Sequence, residues 1–358
     1  MDIWKDLLAA LSGVLNALPQ GLLAMTFGFA SIPTALAFVV GAAGNMATSN
    51  VAVISYQAET ITLAGTMGRN MRERLSMIFF GAAILAVIGL FGVLEGIIDW
   101  IGPVVTSGMM AGVGIMLAKV AWDMARADRL IGIVSMASAL LTYIATADLV
   151  YTITVSVVLS SIAYAFAKKG GTKSEPIPSI KEGFIRQRLV MNPSVLRGAL
   201  ALVCLNIGAN IAFGKINGEI AGADVNVDTI TVISSLADMA SSFFGGAPVE
   251  IVISATASAP HAVLSGVLMM ILMAVILVTG LLPKIGKFVP SASIAGFLFV
   301  LGAFVTLPGN AIASLTGEEA GNGITGAVTM IITALTDPFF GMLAGVVTDF
   351  LLGLFGAA

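Results

Sequence analysis

The stretch SSFFGGAPVEIVISATASAP, residues 241–260, places two glycines, a proline and a glutamate inside an otherwise apolar segment. Glycine and proline interrupt helices, because glycine is conformationally free and proline lacks a backbone N–H. A carboxylate at bilayer depth is costly unless it is paired or in contact with water. The stretch therefore predicts a broken membrane segment with Glu250 at the break.

The composition places the whole chain in a membrane. Of its 358 residues 58% are hydrophobic and 10% are charged, and the mean hydropathy is +1.02. A water-soluble chain of this length could not cover its surface with so few charges. The single Cys204 excludes internal disulfides and cysteine-based metal sites, and the start MDIWKD lacks the basic region of a cleaved signal peptide. We expect an all-α polytopic protein of the inner (plasma) membrane.

Apolar segments of about 20 residues, the length that spans a bilayer as a helix, divide the chain into two halves of seven. The first half, residues 1–167, gives segments at 7–28, 31–47, 51–66, 73–98, 103–123, 128–146 and 149–167. A polar linker covers 168–195. The second half, 196–358, gives segments at 196–214, 228–244, 248–259, 261–282, 289–306, 322–336 and 338–356. Segments 3 and 10 are too short or too broken for full spans.

The two halves show short matches at equivalent positions. Segments 3 and 10 both contain Val-Ile-Ser, at 53–55 and 252–254. Segments 5 and 12 show a match that reads from Pro103 and from Pro290. Each carries two glycines six residues apart, namely Gly108 and Gly114, then Gly296 and Gly302. Seven spans per half would invert the second half relative to the first. Inverted repeats with paired broken helices are typical of secondary transporters, and the breaks mark the binding site.

The local sequence predicts the structure of the breaks. Val-Ile-Ser favours a short extended piece, and Ser55 and Ser254 are predicted N-caps of the half-helices that follow. The N-termini of two half-helices would then face each other near the midplane, each with partial positive charge and free N–H groups.

The sequence resembles the seven-plus-seven inverted-repeat transporters, in particular the nucleobase–ascorbate transporter (xanthine/uracil permease) family. SSLADMASSFFGGAP, residues 234–248, is similar to the stretch that leads into segment 10 of those permeases. Their substrate-binding glutamate corresponds to Ser254, and their acidic residue in segment 8 falls near Leu205 or Asn206. The resemblance implies a core domain from segments 1–4 and 8–11 and a gate domain from segments 5–7 and 12–14.

The sulfate permease family is the second resemblance. Leu18-Pro19-Gln20-Gly21 is similar to its segment 1, and ASSFFGGAPVEIVISATA, residues 240–257, to its segment 10. The basic residue that this family often places near the anion corresponds to Ala255, and its cytoplasmic domain has no counterpart in the sequence.

The candidate substrate-binding residues combine position with chemistry. Glu250 either recognises the substrate or accepts a coupling proton, or it caps backbone donors at the break. Glu59 is a substrate contact or a buried, paired carboxylate. Asn206 and Asn210 share one face of segment 8, for substrate contact or interhelical hydrogen bonding. The remaining candidates, chosen by their positions in the broken segments and segment 1, are Ser55, Tyr56, Ser254 and Gln20. We expect Glu250, Ser254, Ser55 and Asn206 to line one central cavity.

These features predict a secondary transporter rather than an enzyme. The first substrate hypothesis is a nucleobase such as a purine or uracil, moved with a proton; the alternative is an anion transporter or channel similar to the sulfate permeases. The resemblance also implies a homodimer. We find no nucleophile–base pair, no metal-ligand cluster and no nucleotide-binding loop in the sequence, so no cofactor and no nucleic-acid partner are expected.

The basic residues predict the orientation in the membrane. Fifteen of the 17 Lys and Arg residues fall on one side of the segment map, and only Lys5 and Lys215 fall on the other. The fifteen are Arg69, Arg72, Arg74, Lys119, Arg126, Arg129, Lys168, Lys169, Lys173, Lys181, Arg186, Arg188, Arg197, Lys284 and Lys287. The positive-inside rule makes that side cytoplasmic, so both termini are expected outside the cytoplasm, opposite to the usual orientation of the two resembling families.

Overall fold

The computed structural model describes residues 2–167, 177, 182–316 and 322–354. The predicted linker residues 168–176 and 178–181, with four of the fifteen basic residues of the topology prediction, lie outside this part of the chain.

Each predicted segment of the first half corresponds to an observed element. The helices are α1 (Asp2–Thr26), α2 (Ser31–Thr48), α3 (Ala58–Met67), α4 (Met71–Leu90), α5 (Leu94–Ile101), α6 (Pro103–Ala127), α7 (Arg129–Thr146) and α8 (Leu149–Ala167), and the strand β1 (Val53–Ser55) precedes α3. Segment 4 is split into α4 and α5, because Gly92 adopts a positive φ of 65° that ends the first helix.

The second half repeats the pattern. It contains α9 (Pro193–Ala221), α10 (Val227–Phe243), β2 (Glu250–Val252), α11 (Ala262–Val278), α12 (Leu281–Gly286), α13 (Ala295–Val300), α14 (Leu307–Leu315), α15 (Asn322–Leu335) and α16 (Pro338–Leu354). A π-helical turn, Leu301–Thr306, joins α13 to α14. Pro308 follows this turn and has no N–H to donate, which favours a local change in the hydrogen-bond pattern.

Several of these helices are long enough for a bilayer. In the described ranges, seven helical stretches have the length and apolar composition to cross a membrane: α1, α2, α4, α6, α7, α9 and the stretch Ser291–Leu315. Shorter apolar helices lie in segments 7, 11, 13 and 14. The protein is therefore an all-α polytopic membrane protein, as the composition predicts.

The two broken segments meet as a two-stranded antiparallel sheet. Val53 pairs with Val252, Ile54 with Ile251 and Ser55 with Glu250. Val53 and Val252 are the first residues of the two Val-Ile-Ser matches, so the repeat is symmetric about this pair. After the strands the halves differ: α3 has ten residues, whereas β2 leads into a four-residue 3₁₀ turn, Ala255–Ser258. Pro260 explains the short turn, because the residue before a proline is biased away from helical conformation.

The repeated glycines lie at symmetric helix crossings. A Cβ on Gly114 would stand 2.9 Å from the Gly302 carbonyl oxygen, and a Cβ on Gly302 would stand 2.6 Å from the Gly114 carbonyl oxygen. Gly108 packs in the same way on α15 of segment 13, and Gly296 on α7 of segment 6. Small residues allow such close contact between helices in lipid, and the exchange of partners between halves agrees with the inverted repeat.

Contacts of the first turns of α4 and α9 place three of the basic residues at one end of the helices. Arg74 Nη1 donates to the Phe27 carbonyl at 2.6 Å, Arg72 Nε donates to the Arg188 carbonyl at 2.6 Å, and Arg197 pairs with Asp337 at 2.6 Å. The opposite end holds the chain start, where Asp6 pairs with His261 at 2.8 Å, and the pair Lys215–Glu95 at 3.0 Å. We call these the basic end and the N-terminal end.

The described part of the linker is tied to both halves at the basic end. The Glu182 carboxylate accepts hydrogen bonds from Ser31 N, Ser31 Oγ and Ile32 N at 2.8–3.1 Å, and so caps α2. Ile177 N donates to the Val289 carbonyl at 3.1 Å.

Candidate substrate-binding site

A cavity of about 310 Å³ lies beside the crossing of the two broken segments. Its walls come from α1, the end of α9, the two strands and the 3₁₀ turn. The lining residues are Ser12, Gly13, Asn16, Gln20, Ser55, Tyr56, Ile220, Val252, Ile253, Ser254, Ala255, Ser258 and Met269. None of these residues is charged, so a solute in the cavity meets hydroxyl and amide groups rather than ions.

Helix α1 supplies one polar wall. Ser12, Asn16 and Gln20 are spaced four residues apart, which places them on one face of the helix. Gln20 Nε2 donates to the Asn16 carbonyl at 3.4 Å. Gln20 was predicted from its position after Pro19; Asn16 was not, although its spacing from Gln20 was the signal that could have identified it.

Ser55 and Tyr56 form the wall on the side of the first half. Ser55 is 3% exposed, and its hydroxyl has no hydrogen-bond partner among the described residues. Tyr56 is buried and packs edge-to-face on Phe38, with ring centroids 5.5 Å apart. The predicted N-cap role of Ser55 is wrong: Gln57 occupies that position with φ −123° and ψ 119°, because the chain stays extended for two residues beyond the strand.

Ser254 forms the wall on the side of the second half, and its predicted N-cap role is confirmed. Its Oγ accepts a hydrogen bond from Thr256 N at 3.2 Å and another from Thr256 Oγ1 at 2.8 Å. Ala255, the position that corresponds to the basic residue of sulfate permeases, also lines the cavity.

Glu250 lies in a buried polar network and does not line this cavity. It is 2% exposed and accepts hydrogen bonds from Asn206 Nδ2 and, at 3.3 Å, from Asn210 Nδ2. The Thr60 hydroxyl lies between the Asn206 amide, 3.0 Å from its Oδ1, and the Gln57 amide. The network thus joins α3 of the first half to β2 of the second.

Other groups satisfy the backbone donors at the break. Asp238 Oδ1 accepts from Val249 N at 2.6 Å, and Thr34 Oγ1 accepts from Ala247 N at 2.8 Å. Among the described hydrogen bonds of Glu250, none comes from a backbone N–H, so the structure gives the capping interpretation of Glu250 no support. Asp238 is a second buried carboxyl close to this network, 3% exposed.

Asn217 is a neighbour of the cavity that sequence reasoning missed. Its Oδ1 accepts from Ser254 N at 3.1 Å, and its Nδ2 donates to the Val252 carbonyl at 2.8 Å and to the Phe213 carbonyl at 2.7 Å. Residues 206, 210 and 217 fall on one stripe of α9, because a spacing of eleven residues is close to three helical turns. This spacing was the available signal.

The structure thus divides the predicted site into two adjacent groups. Gln20, Ser55, Tyr56 and Ser254 line the cavity. Glu250, Asn206 and Asn210 form the buried network behind it. Glu59 is buried in the first turn of α3, where a carboxylate is favoured by the helix dipole, and it does not line the cavity. The roles of all eight residues in substrate binding stay predictions.

Comparison with known proteins identifies the fold. No protein-family model and no curated protein sequence matches the chain. Solved structures do match. SLC26A9 matches with a TM-score of 0.75 at 15% sequence identity, over 99% of this chain and 66% of that one. The murine Slc26a9 anion transporter in its inward-facing state matches with a TM-score of 0.73 at 14% identity, over 99% of this chain and 69% of that one. The transmembrane domain of a cyanobacterium bicarbonate transporter, BicA, matches with 0.71 at 13% identity, over 97% of this chain and 98% of that one.

The likeness therefore covers the whole chain but only about two thirds of the SLC26A9 chains. At this identity it shows a shared fold. These neighbours agree with the second of the two sequence resemblances, the sulfate permease family, and give no support to the first, the nucleobase–ascorbate transporters.

Proposed function

We propose that this protein is a secondary transporter of a small anion, which binds in the cavity between the broken segments. The observation that carries the proposal is the Ser55 hydroxyl, which is buried in the cavity wall and has no hydrogen-bond partner in the described part of the chain. Buried polar groups almost always have a hydrogen-bond partner. A bound substrate would supply the partner that Ser55 lacks.

The chemistry of the lining supports an anion. Hydroxyl and amide groups can donate hydrogen bonds to it, and no lining residue is a carboxylate that would repel it. Ser55 and Tyr56 lead directly toward the N-terminus of α3, where the helix dipole adds partial positive charge. Two of the structural neighbours are described as an anion transporter and a bicarbonate transporter. With Ala255 where sulfate permeases often have a basic residue, these neutral donors would bind the anion without a fixed cation.

A neutral nucleobase is the second candidate substrate, because the cavity offers amide side chains. Asn16 and Gln20 each present both donors and acceptors, the groups that pair with a nucleobase edge. A neutral base would lose less binding affinity than an anion when the Ser55 hydroxyl is removed.

The test compares two buried serines whose hydroxyls have no hydrogen-bond partner among the residues that the structure describes. Ser55→Ala removes the cavity hydroxyl, whereas Ser235→Ala removes a hydroxyl of this kind on α10 that does not line the cavity. Purified variants are screened by thermal shift and by uptake into liposomes against bicarbonate, sulfate, chloride, small organic acids and nucleobases. A ligand of the native state stabilises it by mass action.

We expect an anion to stabilise the wild type and Ser55→Ala to weaken its binding about tenfold or more, since hydrogen bonds to charged groups contribute about 1.5–3 kcal/mol. For a neutral base the loss would be only about twofold to tenfold. Neither variant should lower stability without ligand, and Ser235→Ala should bind normally. Stabilisation by nucleobases alone would reject the anion assignment, and equal effects of the two variants would reject this cavity as the site.

We further propose that Glu250 couples transport to protons. Its described hydrogen-bond donors are the neutral amides of Asn206 and Asn210. A second buried carboxyl, Asp238, accepts from the neighbouring Val249 N. Such a pair can hold one proton and release it when its surroundings change. Glu250→Gln keeps the shape and removes the titrating group. It should preserve substrate exchange and abolish pH-driven accumulation; unchanged accumulation would reject this role.

We also propose that the protein forms a homodimer and that its basic end faces the cytoplasm. These two proposals rest on the fold resemblance and on the positive-inside rule.

A further inference from the structure

A second, larger cavity lies on the other side of α1, between α1, α8 and the segment around α12. It measures about 590 Å³, and its lining is apolar apart from a few residues, among them Ser161 and Lys287. Leu15, Val158 and Ile162 are about half exposed, at 52%, 49% and 47%, and Phe288 is 74% exposed. These side chains lie on membrane helices or next to them, so the groove opens to the acyl chains of the bilayer.

The groove has one charged end. Lys287 is its only charged lining residue in the described part of the chain, and it follows α12 directly at the basic end. A groove with apolar walls and a lysine at one mouth matches a phospholipid with a negative headgroup. Basic pockets between membrane helices bind anionic headgroups, and apolar walls accept the acyl chain.

An unpaired polar atom points to the same ligand. The Ser161 hydroxyl is buried without a hydrogen-bond partner among the described residues, and Ser161 lines the groove. A saturated acyl chain offers nothing to this hydroxyl, whereas the glycerol ester carbonyls of a phospholipid accept hydrogen bonds.

Helix α1 separates the groove from the substrate cavity. Leu15, Leu18 and Leu22 face the groove, whereas Asn16 and Gln20 face the cavity. An occupant of the groove therefore contacts the back of the same helix that presents polar groups to the substrate.

We propose that this groove is a binding site for one anionic phospholipid, with its headgroup at Lys287, an ester group near Ser161 and an acyl chain along α1 and α8. The site is independent of the proposed substrate, because it is defined by other residues.

The experiment measures lipid binding directly. Purified full-length protein is mixed with equimolar phosphatidylglycerol and phosphatidylcholine, and bound lipid is counted by native mass spectrometry. Lys287→Gln removes the groove charge. Lys284→Gln is the matched control, since Lys284 lies on α12 but outside the groove lining. Ala165→Trp fills the groove without changing charge.

We expect the wild type to retain phosphatidylglycerol in preference to phosphatidylcholine. Lys287→Gln should reduce this preference about fivefold, the effect of one basic residue at an anionic surface, while Lys284→Gln should leave it unchanged. Ala165→Trp should lower the binding of both lipids. Equal effects of the two lysine variants would show unspecific surface attraction and overturn the site, as would wild-type lipid retention by Ala165→Trp.

Discussion

Asn217 allows a quantitative test of how the substrate cavity is held together. The Asn217→Ala substitution removes an acceptor from Ser254 N and a donor from the Val252 carbonyl, which lie 3.1 and 2.8 Å from the Asn217 amide. Its third partner, the Phe213 carbonyl, lies one turn back in the same helix and needs no replacement.

The expected loss follows from these two groups. A buried backbone group left without a partner costs about 1–3 kcal/mol. Val252 and Ser254 also line the cavity, so water entering it can satisfy one of the two. One group then stays without a partner, so we expect Asn217→Ala to lower the free energy of unfolding by about 1–3 kcal/mol. Substrate binding should also weaken, because the 3₁₀ turn loses its anchor on α9.

The assay is equilibrium unfolding in mixed micelles, with Asn310→Ala as the control. Asn310 is also an asparagine in an apolar helical stretch, but the bond the structure gives it, from Nδ2 to the Thr306 carbonyl at 2.7 Å, stays within one turn. Its replacement should cost less than about 1 kcal/mol. Our reasoning fails if Asn217→Ala is as stable as the wild type, or if the two variants lose the same amount.

Two further outcomes are expected. Gly302→Ala should destabilise the fold, because its Cβ would stand 2.6 Å from the Gly114 carbonyl oxygen. Gly309→Ala, with nothing within 4 Å of its Cβ in the described residues, should be neutral or stabilising. Thermal unfolding of both variants checks this, and equal melting temperatures would contradict it. Lys173→Cys in a Cys204→Ala background should resist a membrane-impermeant thiol reagent in intact cells if the basic end is cytoplasmic; labelling there would show the opposite orientation.

The positions of the segments could be predicted from the sequence because apolar length and helix breakers act locally. Gly245, Gly246 and Pro248 marked the break in segment 10, and the structure has β2 two residues beyond the proline. The Val-Ile-Ser matches predicted a short extended piece in each broken segment. Strand β1 covers the first match, Val53–Ser55, whereas β2 ends at Val252, where the second match begins.

The depth of each side chain could not be predicted in the same way. Ser55 and Glu250 lie directly opposite each other on the two strands, yet Ser55 lines the cavity and Glu250 belongs to the buried network behind it. Likewise, Ser55 could not be recognised as unpaired, since this depends on where the strand ends and on what packs beside it.

The unequal ends of the two strands have a consequence for resting behaviour. If the two halves were identical, exchanging their conformations would convert the state open to one side of the membrane into an equivalent state open to the other side. The two states would then have equal free energy. Here ten residues of α3 stand opposite a four-residue turn, so the two conformations are built from different contacts and are not degenerate. A difference of only about 1.4 kcal/mol leaves tenfold more molecules open to one side. Under the proposed mechanism, the transporter without substrate is therefore mainly open to one side of the membrane. Its apparent affinity for substrate then differs between the two faces of the membrane even when the binding groups are the same.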